Sequence, residues 1–316
     1  MASDRSMMET RAAGTVRFVV TLTMKKILFA TDGSEFANEA ARFLAHLPLP
    51  AKSELVVVTV LEDPSIARSY ESAVYLKASV QQEREAAEEA FAKIRQMFVG
   101  ADMTLKSVIE VGHRGEMVVE IAKAEHVDLI VVGARGHSAV GRILLGSTSD
   151  FIATHAPCSV LVIRPSNRYG SDRPLRAVIG YDDSDAARAA LQEFASVSWG
   201  HQTEVHVVSV VSYLAGFLNE TVQDTESIRL AALAAVQHAA ARLQPVAPNT
   251  SARVLISDHV GEGLVAFAEE RHCDLVVIGE RRRSAIGRFL LGSFSRFVLR
   301  HSPSSVWISR HKEPSS

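Results

Sequence analysis

No apolar run in these 316 residues approaches the ~18 residues that a membrane span requires. The apolar stretch at 16–22 is short, is broken by Arg17 and leads to no small-residue cleavage site, so it does not read as a signal peptide. Cysteine is scarce: Cys158 and Cys273 stand far apart, in no metal-ligand spacing, which argues against a disulfide framework or a zinc site. Both read as small buried hydrophobes. An excess of one charge is missing too. Lys and Arg number 34 against 36 Asp and Glu, for a formal net charge of −2, so no global field draws the chain to nucleic acid or an anionic membrane. No Gly-x4-Gly-Lys-[Ser/Thr] loop and no Gly-x-Ser-x-Gly elbow occurs, and the twelve histidines fall into no metal spacing. The expectation is a cytoplasmic protein with no metal site.

What is present is an ordinary globular composition, 47% apolar and 22% charged, at about twice the ~150 residues of a single domain. The sequence also repeats itself. Residues 128–163 (DLIVVGARGHSAVGRILLGSTSDFIATHAPCSVLVI) align without gaps on 274–309 (DLVVIGERRRSAIGRFLLGSFSRFVLRHSPSSVWIS), about half of them identical. The starts match as well: ILFATDGS at 27–34 against VIGYDDS at 178–184, so Asp32 corresponds to Asp182 and Ser34 to Ser184. A period this long means duplicated domains rather than a short-repeat solenoid. We read 24–165 as unit one, a polar turn-rich linker at 166–175, 176–311 as unit two and 312–316 as a tail. Residues 1–23 fit neither unit and read as a disordered extension, with Met24 an alternative start.

Within unit one, Val/Ile/Leu-rich runs fall near 26–31, 54–61, 104–110, 128–132 and 159–163. They are near-continuous rather than alternating, as strands covered on both faces are. Between them Phe36, Ala40, Phe43 and Leu47, then Ala87, Phe91, Ile94 and Phe98, recur at helical spacing. Ser34 is the N-cap expected for the first helix. Alternating strands and helices give an α/β class, two doubly wound five-stranded parallel sheets in tandem.

Such sheets bind ligands beyond the carboxyl ends of their strands. Asp32 ends the first strand. The loop Gly133-x2-Gly136-x9-Gly146-Ser147-Thr148 follows the fourth. Glycines there admit close backbone approach and positive φ. Ser147, Thr148 and Ser149 open a helix whose N–H groups favour an anion. Asp32 suits ribose hydroxyls or an adenine amino group, and Val60 and Val132 suit the base. His155 and His301 sit where they would cap C-terminal helix carbonyls, and Glu116 and Glu262 where they complement a helix dipole; no catalytic role is assigned.

The Gly-x2-Gly-x9-Gly-Ser loop, Asp32 and Pro157 before the last strand resemble the universal stress protein family, over nearly everything after Met24. The resemblance implies an ATP-binding, stress-responsive regulator with strand order 3-2-1-4-5 and pairing through the last strand. Its adenosine contacts carry over to Ala30, Asp32, Val60, Val132 and Gly133. Its phosphate contacts carry over to Gly136, Gly146, Ser147, Thr148 and Ser149. The cofactor is then ATP, with Mg an option.

In unit two the corresponding positions are Gly180, Asp182, Val210, Ile278, Gly279, Arg282, Gly292, Ser293 and Ser295. Arg282 replaces Gly136, and Phe294 replaces Thr148. Arg282 has three open roles: a solvated loop residue, a phosphate fork, or a plug in the pocket. Weaker binding, or a different phosphorylation state, is expected there. Slow ATP hydrolysis and binding of AMP or a cyclic nucleotide stand as alternatives to ATP storage. The last strands (SVLVIR and SVWISR) end each unit with nothing after them to cover them, which predicts an antiparallel pairing within the chain. Homodimerisation through other faces stays open; nucleic acid and membrane are not expected partners.

Overall fold

A computed structural model describes residues 24–61, 70–134, 145–165, 173–212, 222–280 and 291–310. The extension 1–23, the tail 312–316 and most of the linker lie outside them. The first unit runs β1 (Lys26–Ala30), α1 (Glu35–Ala45), β2 (Ser53–Leu61), α2 (Tyr70–Met97), β3 (Met103–Val111), α3 (Arg114–Ala124), β4 (Leu129–Gly133), α4 (Ser147–His155) and β5 (Ser159–Ile163). The second runs β6 (Leu175–Gly180), α5 (Asp185–Ala195), β7 (Thr203–Val211), α6 (Val222–Leu243), β8 (Thr250–Ile256), α7 (Val260–Glu270), β9 (Leu275–Gly279), α8 (Ser293–His301) and β10 (Ser305–Ser309). Leu175, inside the stretch read as linker, pairs with Thr203 and is buried, so the second sheet begins with it.

All strand pairs within a unit are parallel, in the order β3-β2-β1-β4-β5 and its counterpart β8-β7-β6-β9-β10. The two sheets do not stay separate. β5 and β10 pair antiparallel, Val162 opposite Val306 and Val160 opposite Ile308, and fuse them into one ten-stranded sheet. Alternate side chains build two cores that each run through both units. One takes Ile27 and Phe29 under α1, α2, α5 and α6, contributing Ala40, Ile94, Phe194 and Val236. The other takes Leu28 and Ile130 under α3, α4, α7 and α8, contributing Val118, Ile152, Leu264 and Val298. Each fully buried side chain of this size stabilises the fold by roughly 1.5–3 kcal/mol.

Local chemistry fixes the element ends. The Ser34 and Ser184 hydroxyls accept from Ala37 N and Ala187 N and start α1 and α5. Asp128 precedes β4 rather than opening it, because its carboxylate accepts from Lys25 N (2.9 Å) and Lys26 N (3.0 Å). Its counterpart Asp274 accepts from Arg176 N and the Arg173 guanidinium. His155 Nδ1 and His301 Nδ1 each lie 2.8 Å from the carbonyl four residues back, Phe151 O and Phe297 O. Both cysteines are free and buried, and burial pushes the Cys273 thiol up to about 12.

The seam is held by a pair of crossed arginines. Arg164, after β5, donates its guanidinium to Leu299 O of α8 (2.7 Å) and its backbone N–H to Ser305 Oγ (3.2 Å). Arg310, after β10, donates to Ala156 O (3.0 Å) and Ala153 O of α4, and its N–H to Ser159 Oγ (3.0 Å). Each unit thus caps the C-terminal carbonyls of the other unit's helix. One element breaks the symmetry: Glu193 of α5 stands where α1 has Phe43, and its Oε2 accepts from Ser159 Oγ (2.8 Å) and Ser309 Oγ.

Candidate functional site

β1 and β4 are neighbours in the sheet, so the turn after Ala30 and the loop after Gly133 open on one cleft. A cavity of about 140 Å³ lies there. Ala30, Asp32, Val60, Val132, Gly133, Gly146, Ser147, Thr148 and Ser149 all line it. Gly136, in the loop at 135–144, lies outside the described residues. A second cavity of about 410 Å³ meets the first at Asp32, Val60 and Arg114 and extends past Glu83 and Lys93 of α2.

The turn that carries Asp32 is internally bonded. Gly33 N donates to Thr31 Oγ1 (3.1 Å), and Ser34 N donates to Asp32 Oδ1 (3.1 Å). Gly33 takes φ +73°, the conformation that glycine favours. Gly146 does not: its φ is −67°, so the positive φ expected of the loop glycines is not its reason for being glycine. It is the N-cap of α4, and its N–H donates to Ala134 O (2.8 Å). Ser149 is buried, and its hydroxyl proton is committed to Gly133 O (2.7 Å). It fastens the helix to the strand end and can offer a ligand only its lone pairs. Ser147 and Thr148 keep the first turn of α4 polar beside the cavity.

The sequence reading missed Thr31, Val58, Val118 and, above all, Arg114. Arg114 is the first residue of α3 and borders both cavities. A cation at a helix N-terminus opposes the dipole, and unit two has Val260 there. That contrast is visible on aligning the two copies and was the signal for it.

The unit-two cleft holds a cavity of about 330 Å³. Gly180, Asp182, Val210, Gly279, Gly292, Ser293 and Ser295 line it. Ile278 does not; it is wholly buried in β9 beneath the floor. Arg282 lies outside the described residues. Gly279 is sterically obligatory, since a Cβ there would stand 2.1 Å from Ala186 O of α5. Tyr181 replaces Thr31. Its hydroxyl donates to Asp183 Oδ1 (2.9 Å), and desolvation first, then that carboxylate, pushes its pKa up to about 12. Glu280 replaces Ala134, and its Oε1 accepts from Gly292 N (2.8 Å).

The sequence profile of the universal stress protein family matches residues 23–164 and again 175–310. The chain belongs to that family, as a tandem member. It is similar to a universal stress protein of Methanocaldococcus jannaschii, 29% identical over 141 residues, which are 44% of this chain and 82% of that protein. It is likewise similar to one of Synechocystis, 30% identical over 149 residues, 44% of this chain and 97% of that protein. Among solved structures, a universal stress protein from Archaeoglobus fulgidus shares the fold at a TM-score of 0.64 and 19% identity, covering 92% of this chain and 99% of that one. Among the described residues no helix is long and apolar enough to cross a membrane, and no cluster of His, Cys, Asp or Glu could hold a metal ion.

Proposed function

We propose that this protein is an ATP-binding regulator of a stress response, acting in the cytoplasm, with unit one as its nucleotide site. The observation that carries the reading is convergence. Nine of the ten unit-one positions implicated by the family resemblance, scattered from Ala30 to Ser149, line one cavity. The chemistry is graded along it. Val58, Val60, Val118 and Val132 supply an apolar wall for a base. Asp32 supplies acceptors for ribose hydroxyls. The first turn of α4 and the Arg114 guanidinium supply positive potential for phosphates. Binding is favoured over turnover, because Asp32 is the one carboxylate among the described residues lining the cavity, and no described histidine lines it. Mg, where it accompanies ATP, would be held chiefly by the phosphates.

Mass spectrometry of ligand extracted from gently purified protein tests this directly. Intact ATP supports it; ADP accumulating on the protein supports slow hydrolysis; AMP or a cyclic nucleotide alone replaces ATP as the ligand. Gly146→Leu, by crowding the N-terminal end of α4, and Asp32→Ala, by removing a charged acceptor, should each weaken ATP binding roughly ten- to a hundredfold. Wild-type affinity in both variants, measured by calorimetric titration, would remove the site from unit one.

A further inference from the structure

The two cavities occupy equivalent places and share Gly146/Gly292, Ser147/Ser293 and Ser149/Ser295, but they differ at three positions around the start of the following helix. Where unit one has Arg114, unit two has Val260. Thr148, a hydroxyl donor in the first turn of α4, becomes Phe294 in α8. Small, neutral Ala134 becomes Glu280. The last change matters most. In unit one the N-cap amide of Gly146 bonds the backbone carbonyl of Ala134. In unit two the same amide, Gly292 N, bonds the Glu280 carboxylate instead. A negative side chain already sits at the positive end of α8, where a phosphate would have to come.

That carboxylate is only half satisfied. Oε2 is buried and has no hydrogen-bond partner among the described residues. A buried acceptor left unpaired costs free energy, but Oε2 is enclosed and not exposed to the cavity, so the carboxylate acts there through its charge. The neighbouring cation cannot serve it fully, since the Arg310 guanidinium is committed to Ala153 O and Ala156 O. Meanwhile the unit-two cavity, about 330 Å³, has Tyr181, Val260, Leu264 and Phe294 around it, where unit one has Thr31, Arg114, Val118 and Thr148. Asp182 keeps the acceptor that Asp32 provides in unit one.

We propose that unit two is a second ligand site with inverted selectivity: it takes an uncharged, nucleoside-class molecule with a planar apolar ring and hydroxyl or amino donors, and excludes phosphate. This rests on reading the unit-one cavity as a nucleotide site, because the equivalence of the two clefts supplies the ring and ribose positions.

The experiment uses the full chain carrying Gly146→Leu together with Asp32→Ala, which weakens unit one at both its phosphate and its ribose ends, titrated calorimetrically with adenosine, AMP and ATP. The expected order of affinity is adenosine above AMP above ATP, with adenosine at least about tenfold tighter than ATP. Adding Glu280→Ala should raise ATP affinity at least about tenfold, the effect of removing one adjacent charge, and should not strengthen adenosine. ATP preferred with Glu280 in place would overturn the proposal and would mean that Arg281, Arg282 and Arg283 bring phosphate in past the carboxylate. Binding of none of the three probes would overturn it as well. The reading of unit one fails separately, if Gly146→Leu and Asp32→Ala together leave the wild-type ATP titration unchanged. A thermal melt of each variant checks that the fold persists.

Discussion

Unit one and unit two share a backbone and part company in the chemistry they place on it. Strand order, cap serines, strand-bridging aspartates and the arginine after the last strand recur in both. The cleft does not: cation and small neutral residue in one, apolar residue and carboxylate in the other, at the same two positions. The lesson is that the shared features are those the sheet needs. Each caps a helix, ties strand to strand or joins the units, and losing it would cost stability in either copy. Inside the cleft the copies keep Asp32/Asp182, Gly146/Gly292 and Ser147/Ser293 and diverge at Arg114/Val260, Ala134/Glu280 and Thr148/Phe294.

The sharpest way to break the equivalence is Gly279→Ala. A Cβ placed 2.1 Å from the Ala186 carbonyl oxygen meets backbone, which cannot swing aside as a side chain can. The end of β9 or the start of α5 must move, at a cost of about 3 kcal/mol or more. Unit two should lose stability first. Hydrogen exchange would show α5 and β9 loosened while α1 and β4 keep their protection. Equal loosening of both units would mean that the sheet melts only as a whole.

Next in size is Arg310→Ala. Two carbonyls at the C-terminal end of α4 lose a charged donor from the opposite unit, worth about 2–3 kcal/mol. The effect should cross the seam: exchange should rise in α4 of unit one, whereas Arg164→Ala should raise it in α8 of unit two. If Arg310→Ala loosens α8 as much as α4, the crossed capping is not what holds these helices.

How far the sequence carried this picture depends on which interactions were local. The strands were legible because each is a short Val/Ile/Leu run between turn formers, and Ser34 because its cap bond spans three residues. Asp32, Gly133 and Gly146 were read together because strand ends gather ligands in a doubly wound sheet, and the three line one cavity. Arg114 went unread, since nothing local separates a pocket arginine from a solvated one and only its alignment with Val260 of unit two marks it. Ile278 was carried over from Val132, which faces the same core and still borders the unit-one cavity; Ile278 is wholly buried and does not line the unit-two cavity. Nothing local to Glu280 marks it out. Only the distance to Gly292 N reveals that its carboxylate sits at the N-terminal end of α8. Glu193 was silent for the same reason, as its serine partners come from β5 and β10.

Glu193 also gives the smallest and most specific test of the comparison. Unit one has Phe43 at the equivalent place, so any titration here belongs to unit two alone. Desolvation raises its carboxyl to about 7, against hydrogen bonds from Ser309 and Ser159 that favour the anion; the charge of Asp128 adds to the rise. In the unfolded chain the group titrates near 4.5. Between these values the folded state holds a proton that the unfolded state has released, so stability falls as pH rises. The contribution is complete below about 4.5 and is lost by about 7. Part of the residue faces solvent, which reduces the loss to about 1–2 kcal/mol. Glu193→Gln keeps an acceptor for the serines and cannot ionise. It should therefore flatten the pH dependence of denaturant midpoints between pH 5 and 8, as expected from this shift, and be the more stable form at the upper end. Phe43→Leu in unit one should leave the slope untouched. A Glu193→Gln chain whose stability still declines with the wild-type slope would place the titrating group elsewhere.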